Sequence, residues 1–252
     1  WSRITDRTLW ALCEQWKAGD FRPEAAELAF DGRHASVMSW ELGDGEQMYL
    51  RGLVDRLDIY RDGDRIYVKI VDYKTGNPSL DLTEVYHGLQ LQLAVYLDAV
   101  MEMVERQNPG QKVIPAGVYY YHIEDPLVDG SGDPSPEALD EQRRKELRLK
   151  GLTNGDEEAA SHMEPVSGSQ ISPEQFGALR SFVRRKVQEL GKGILEGDIG
   201  VEPYQYKKDS ACDYCAFGAV CGFDRRLPGY RTRKLVEQKA SDIWAKMEEE
   251  GK

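Results

Sequence analysis

The chain has 252 residues, enough for one sizeable core or one core with a smaller attached lobe. Apolar residues make up 40% and charged residues 31%, which excludes a mainly disordered or collagen-like chain. The net charge of -11 has the wrong sign for a protein that grips DNA chiefly by neutralising phosphates, but it does not exclude a site whose carboxylates recruit cations.

Residues 6–17 place Leu9, Leu12, Cys13 and Trp16 at helical spacing, with Thr5 or Asp6 suited to cap the start, so Cys13 reads as a core residue of a helix. Residues 24–30, 47–58 and 65–73 are short apolar-rich runs bounded by Gly and Asp, which suits strands. Between the last two lies Arg61-Asp62-Gly63-Asp64, and Asp-Gly between such runs predicts a hairpin. Residues 84–106 read as one long helix, with Leu89, Leu93, Tyr96, Leu97 and Val100 along a face. Residues 114–123, with three consecutive tyrosines, read as a buried strand. Strand, helix and strand in one sheet imply a crossover and an α/β core.

Residues 124–171 are expected to be a surface excursion, polar and irregular apart from a charged helix at 136–150. Ser172 and Pro173 then open a last long helix to about Leu195, Ser172 as N-cap and Pro173 at the first helical position. The expected organisation is a core in residues 1–123, the excursion, and a C-terminal helix with a Cys-rich segment in 172–252, all one domain. No apolar run approaches the ~20 residues of a membrane span and no basic-then-apolar leader is present, so a cytoplasmic setting is expected. The chain opens at Trp1 rather than Met, and a piece of a longer protein is expected.

The hairpin carries the chemistry. If Asp62 and Gly63 form the turn, Asp55 faces Ile70 and Leu53 faces Asp72, so Asp55, Asp72 and Lys74 share one face. The two carboxylates are then diagonal neighbours at roughly 7–8 Å, able to reach one cation. A hard divalent ion, Mg²⁺ first with Mn²⁺ as a substitute, is the usual compensation for carboxylates beside an apolar face. The competing reading is an Asp-Lys ion pair at a strand end, which is common. Gln92 and Tyr96, at i and i+4, share a helix face.

Gly52-Leu53-Val54-Asp55-Arg56-Leu57-Asp58, Val71-Asp72-Tyr73-Lys74-Thr75-Gly76 and Gln92-Leu93-Ala94-Val95-Tyr96 resemble, in order, the motifs of RecB-type nucleases in the PD-(D/E)xK superfamily. The resemblance implies a central mixed sheet flanked by helices, with Asp55 and Asp72 as metal ligands and Lys74 as a catalytic lysine. It implies further that Gln92 and Tyr96 contact substrate or support the site. Glu27 resembles a further acidic position of the family.

Near the C-terminus, Cys212, Cys215 and Cys221 form a C-x2-C-x5-C arrangement that by spacing alone suits an Fe-S cluster or zinc. This segment resembles the nuclease domains of AddB-type subunits of bacterial helicase-nucleases. The resemblance implies a [4Fe-4S] cluster completed by an upstream cysteine, DNA as substrate, an AddA-like partner subunit, and a role in processing double-strand breaks. A fourth ligand and an upstream G-x-x-x-H histidine are missing, and His34, His87, His122 and His162 all stand in other contexts. The cluster is therefore expected to be absent or labile in this chain, with residues 204–222 poorly fixed. The alternatives are a non-catalytic DNA- or partner-binding module and a stand-alone Fe-S exonuclease of the CRISPR-associated kind. An exposed basic run, Arg225, Arg226, Arg231, Arg233 and Lys234, is either a phosphate contact or a solvated face.

Overall fold

The computed structural model describes residues 2–30, 38–76, 79–133 and 135–250, so His34 lies outside the described residues. The first helix, α1 (Ser2–Ala18), starts ahead of both predicted caps. Its inward stripe is centred on Ala11, Leu12 and Gln15, the last donating to the Leu147 carbonyl at 3.0 Å. Cys13 points off the far side of that stripe and is exposed, contrary to its expected core position.

The strands follow as β1 (Arg22–Phe30), a separate hairpin of β2 (Met38–Gly43) and β3 (Glu46–Leu50), then β4 (Gly52–Asp62) and β5 (Arg65–Lys74). The run expected as one strand at 47–58 is thus broken at Arg51. The predicted long helix is likewise two, α2 (Leu82–Tyr86) and α3 (Gln92–Gln107). Asp81 caps α2, its Oδ1 accepting the N–H groups of Thr83 and Glu84, and Gly88 at φ +80 turns the chain out of the helix. Gln92 therefore stands on the first turn of α3.

After β6 (Lys112–His122) and α4 (Pro136–Glu146) come β7 (Lys150–Asn154), α5 (Glu157–Ser161) and β8 (Ser167–Ile171). The stretch expected to be a surface excursion thus adds two strands to the main sheet. Six strands run in the order β1-β4-β5-β6-β7-β8, with β5/β6 and β7/β8 parallel and the other neighbours antiparallel. The parallel β5/β6 pair is joined by the predicted helical crossover.

One face of the sheet buries Leu57, Ile59, Ile66, Val68 and Ile70 under α3 and α6 (Pro173–Leu195). Burial of each such side chain stabilises the fold by about 1.5–3 kcal/mol. Ser172 and Gln175 close a capping box at the start of α6, as Ser172 foretold, and Arg180 and Arg184 from α6 grip buried Asp98 of α3. The other face packs Val71, Tyr119 and Tyr121 against α1.

A small sheet of β9 (Tyr204–Tyr206), β10 (Asp209–Ser210) and, beyond α7 (Gly218–Cys221), β11 (Arg233–Leu235) frames the cysteines. Its base is fixed rather than loose: the second oxygen of Asp81 accepts from the Tyr206 hydroxyl and from Lys207 Nζ, both at 3.0 Å. Last comes α8 (Ala240–Glu249), not anticipated from sequence, which buries Ile243, Trp244 and Met247 in the main core.

Candidate active site

The β4-β5 hairpin turns through Gly63 and Asp64, one residue later than predicted, so Asp62 faces Arg65 and Leu57 faces Ile70. Two preferences select this turn. Glycine first in a two-residue loop suits a type II′ turn, Gly63 taking φ +57, and Asp62 gains an opposite charge across the hairpin. The shift moves each pairing by two, an even number, so no side chain changes face. Continued one step past Arg56↔Val71, the register sets Asp55 directly across from Asp72 rather than diagonal to it.

The ladder itself stops at Arg56. Beyond it the Asp55 Oδ2 takes the place of a backbone acceptor and receives the Tyr73 N–H at 2.8 Å. Asp72 is 2% exposed, with Lys74 Nζ 2.6 Å from its Oδ2. Burial pushes the Asp72 carboxyl above its ordinary pKa, Lys74 opposes that, and the Asp55 charge pushes the same way as burial. Lys74 also donates to Gln92 Oε1 at 3.1 Å, and Gln92 Nε2 donates to the Tyr96 hydroxyl at 3.0 Å. Asp72, Lys74, Gln92 and Tyr96 thus form one polar chain from sheet to helix.

Tyr96 is seated by Phe30, edge to face at 5.7 Å between ring centres. Gly52 makes room for both: a Cβ there would lie 2.2 Å from the Phe30 ring and 2.9 Å from that of Tyr96. On the neighbouring strand Tyr120 stands in register with Asp72, its hydroxyl pushed up to about 12 by burial and then by the Asp72 charge. His122 stands in register with Lys74, its Nδ1 2.9 Å from Glu124. Neither Tyr120 nor His122 was singled out from sequence as a site residue, although their strand was predicted.

Glu27 lies on β1 at the position facing Asp55, between the pairs Ala26↔Arg56 and Leu28↔Val54. It is exposed and holds φ +50, a strained value for a residue with a side chain. The remaining described histidines have other partners. His87 closes α2 beside Gln238, and His162 stacks on Tyr60 while contacting Asp20 at 2.7 Å.

Asp58, part of the same motif as Asp55, points to the opposite face. There it binds Arg56 through two contacts of 2.8 and 2.7 Å and Lys69 at 3.0 Å, and Lys69 reaches Glu164 at 2.6 Å. All four are buried, two cations against two carboxylates beneath the site. Spacing did not reveal Glu164, which arrives from 95 residues away.

The donor set on the site face fits a hard divalent cation. Asp55 and Asp72 repel each other in a partly desolvated place with one lysine between sheet and helix, a situation that a divalent charge relieves. Among the described residues no group of three or more His, Cys, Asp and Glu is disposed around a metal, so the pair would furnish part of a shell. Mg²⁺ is commonly held by one or two carboxylates, with water and phosphate supplying the rest.

Cys212, Cys215 and Cys221 are exposed free thiols, and Cys13 sits on α1, which packs on the other face of the sheet. The chain by itself does not assemble the four thiolates of a [4Fe-4S] cluster. Arg226 of the basic run is tied to Asp224 at 2.6 Å.

Residues 1–222 match the family model for the PD-(D/E)XK nuclease superfamily. The chain belongs to this superfamily. It is 33% identical over 270 residues to the B-type subunit of the ATP-dependent helicase/deoxyribonuclease of Thermoanaerobacter sp. (strain X514), covering 99% of this chain and 23% of that protein. The corresponding protein of Lysinibacillus sphaericus (strain C3-41) is 38% identical over 275 residues, covering 98% and 23%. That of Clostridium botulinum (strain Hall) is 35% identical over 266 residues, covering 96% and 23%. The chain thus spans about a quarter of the length of the curated relatives it matches. As a superfamily member, it keeps both acidic motif positions and the lysine, and no described helix is long and apolar enough to cross a membrane.

Proposed function

We propose that the chain is the nuclease domain of a helicase-nuclease. It hydrolyses DNA phosphodiesters with a divalent metal, as an exonuclease in the processing of double-strand breaks for recombinational repair. The observation that carries this reading is the unbroken chain Asp72-Lys74-Gln92-Tyr96 beside Asp55. Asp55 and Asp72 would hold Mg²⁺ or Mn²⁺. When bound, the ion supplies a Lewis acid at a phosphate oxygen and a more acidic water.

The chain's own residues do the rest. Lys74, released from Asp72 as that carboxylate takes a ligand role, keeps its charge beside the phosphate and balances negative charge as it grows at phosphorus. Gln92 holds the lysine at one fixed place, and Tyr96, wedged by Phe30, holds Gln92. The likeness to proteins of an ATP-dependent helicase/deoxyribonuclease supports DNA and an AddA-like subunit as partners, in a cytoplasmic setting. The three C-terminal thiols would need a fourth thiolate from elsewhere to hold a [4Fe-4S] cluster.

Asp72→Ala in the full-length protein should abolish Mg²⁺-dependent DNA cleavage while circular dichroism stays native. Full cleavage by that folded variant would refute the reading. Lys74→Ala should lose rate at saturating metal with Mn²⁺ affinity nearly kept. The reverse pattern, lost Mn²⁺ binding with rate intact, would exchange the two roles.

A further inference from the structure

Asp72, Tyr120, Lys150 and Ser167 stand in one row across β5, β6, β7 and β8. Neighbours in register share a face, so Lys150 projects on the same side as Asp72. Two strand spacings separate their backbones, roughly 10 Å, which is about three nucleotides at the ~3.4 Å rise of a stacked strand.

Lys150 opens on a cavity of about 440 Å³ that is also lined by Ser79, Thr83, Ser167, Ser169 and Gln238. The other lysines of this sheet are engaged: Lys69 with Asp58 and Glu164, Lys74 with Asp72 and Gln92. The half-buried Lys150 ammonium has no ion pair or side-chain hydrogen bond among the described residues. The nearby acids are committed elsewhere. Asp81 spends one oxygen on the α2 cap and the other on Tyr206 and Lys207, and Glu237 lies 3.5 Å from Lys207.

A partly desolvated cation without a counter-ion, ringed by hydroxyls and an amide, is suited to a phosphate oxygen, for which such groups are the common donors. We propose that this cavity binds the sugar-phosphate backbone of the DNA strand a few nucleotides from the scissile bond, with Lys150 on a phosphate and Ser167 and Ser169 beside it. This inference rests on the nuclease reading for its substrate. Because such contacts go to the backbone and not to bases, the subsite is indifferent to sequence. It also places the strand along the row of the sheet, from Asp72 toward β8.

The test uses the full-length protein and its Lys150→Ala, Lys150→Glu and Lys150→Arg variants. Binding of a fluorescein-labelled oligothymidylate is read by anisotropy without divalent metal over a KCl series, and Mg²⁺-dependent cleavage is read separately. Lys150→Ala should weaken binding several-fold and lower the slope of log K against log[KCl] by about 0.7, the value of one single-strand phosphate contact. Lys150→Glu should weaken it further, Lys150→Arg should restore it, and in cleavage KM should rise with kcat held. Unchanged affinity and slope in folded Lys150→Ala and Lys150→Glu would overturn the inference even if cleavage is intact. A parent protein that binds DNA through Lys150 yet shows no metal-dependent cleavage would instead refute the nuclease reading and leave the subsite standing. A parent with no measurable DNA binding would overturn it.

Discussion

Asp58 and Asp72 are both buried on one hairpin, yet their surroundings give opposite consequences. Asp58 answers two cations and completes a neutral four-charge cluster, so Asp58→Asn strands Arg56 and Lys69 away from water. Breaking a buried pair in this way costs about 3–5 kcal/mol, and the urea midpoint should fall accordingly. Asp72 carries a charge that burial and Asp55 both disfavour. In metal-free protein Asp72→Asn should therefore raise stability by about 0.5–2 kcal/mol while removing cleavage, the usual exchange at a functional site. The sign with pH agrees: with the folded pKa of Asp72 above 3.8, the native state holds the extra proton, and stability from this group falls as pH rises from 3.8 through the raised value. A lower midpoint for Asp72→Asn would show that Lys74 outweighs the burial of its partner.

At the scale of elements, Gly52 links the first motif to the third. It leaves Phe30 space to press its edge on Tyr96, and through Tyr96 it fixes Gln92 and Lys74. Gly52→Ala should cost about 1–3 kcal/mol by overpacking and should slow cleavage, both measurable on one preparation. A variant with native stability and rate would mean that Phe30 yields freely. The hairpin, the crossover and the capped α6 were legible in the sequence because each rests on local signals: apolar alternation, a helical stripe, Ser172 before Pro173. The exact turn was not, since Asp62-Gly63 and Gly63-Asp64 give registers of the same parity and one apolar pattern serves both. Nor were β7 and β8, for Ser167-Gly168-Ser169-Gln170 has no apolar alternation and is a strand only because β7 offers it a parallel partner. The long helix failed at Gly88, where a single positive φ outweighed the continuity of the stripe. Of the candidate site, the motif residues could be read in advance; their chain of contacts could not, because Lys74 and Gln92 meet only through the fold.

Across the whole molecule, distant segments converge on His87. Arg233 of β11, Lys186 of α6 and Lys246 of α8 all face it, and burial followed by these charges holds its pKa below 6.5. The unfolded chain then takes up the proton first on acidification. The contribution is fully present above 6.5 and is lost as pH falls through the lowered folded value. Thermal stability should drop over that window and α8 should become more open to protease, whereas His87→Gln should flatten the dependence; an identical pH profile in the variant would exclude His87 as its source. The cysteine-bearing arm reaches the catalytic layer by a different route. Asp81 is a rivet with two heads: one oxygen pins the start of α2, the other pins the arm through Tyr206 and Lys207. Tension on the arm is therefore delivered to the helix that leads, past the bend at Gly88, to Gln92, the partner of Lys74, and the carboxylate could not be unfastened at one head without slackening at the other. The molecule thereby carries a lever between its thiols and its lysine, built from one side chain.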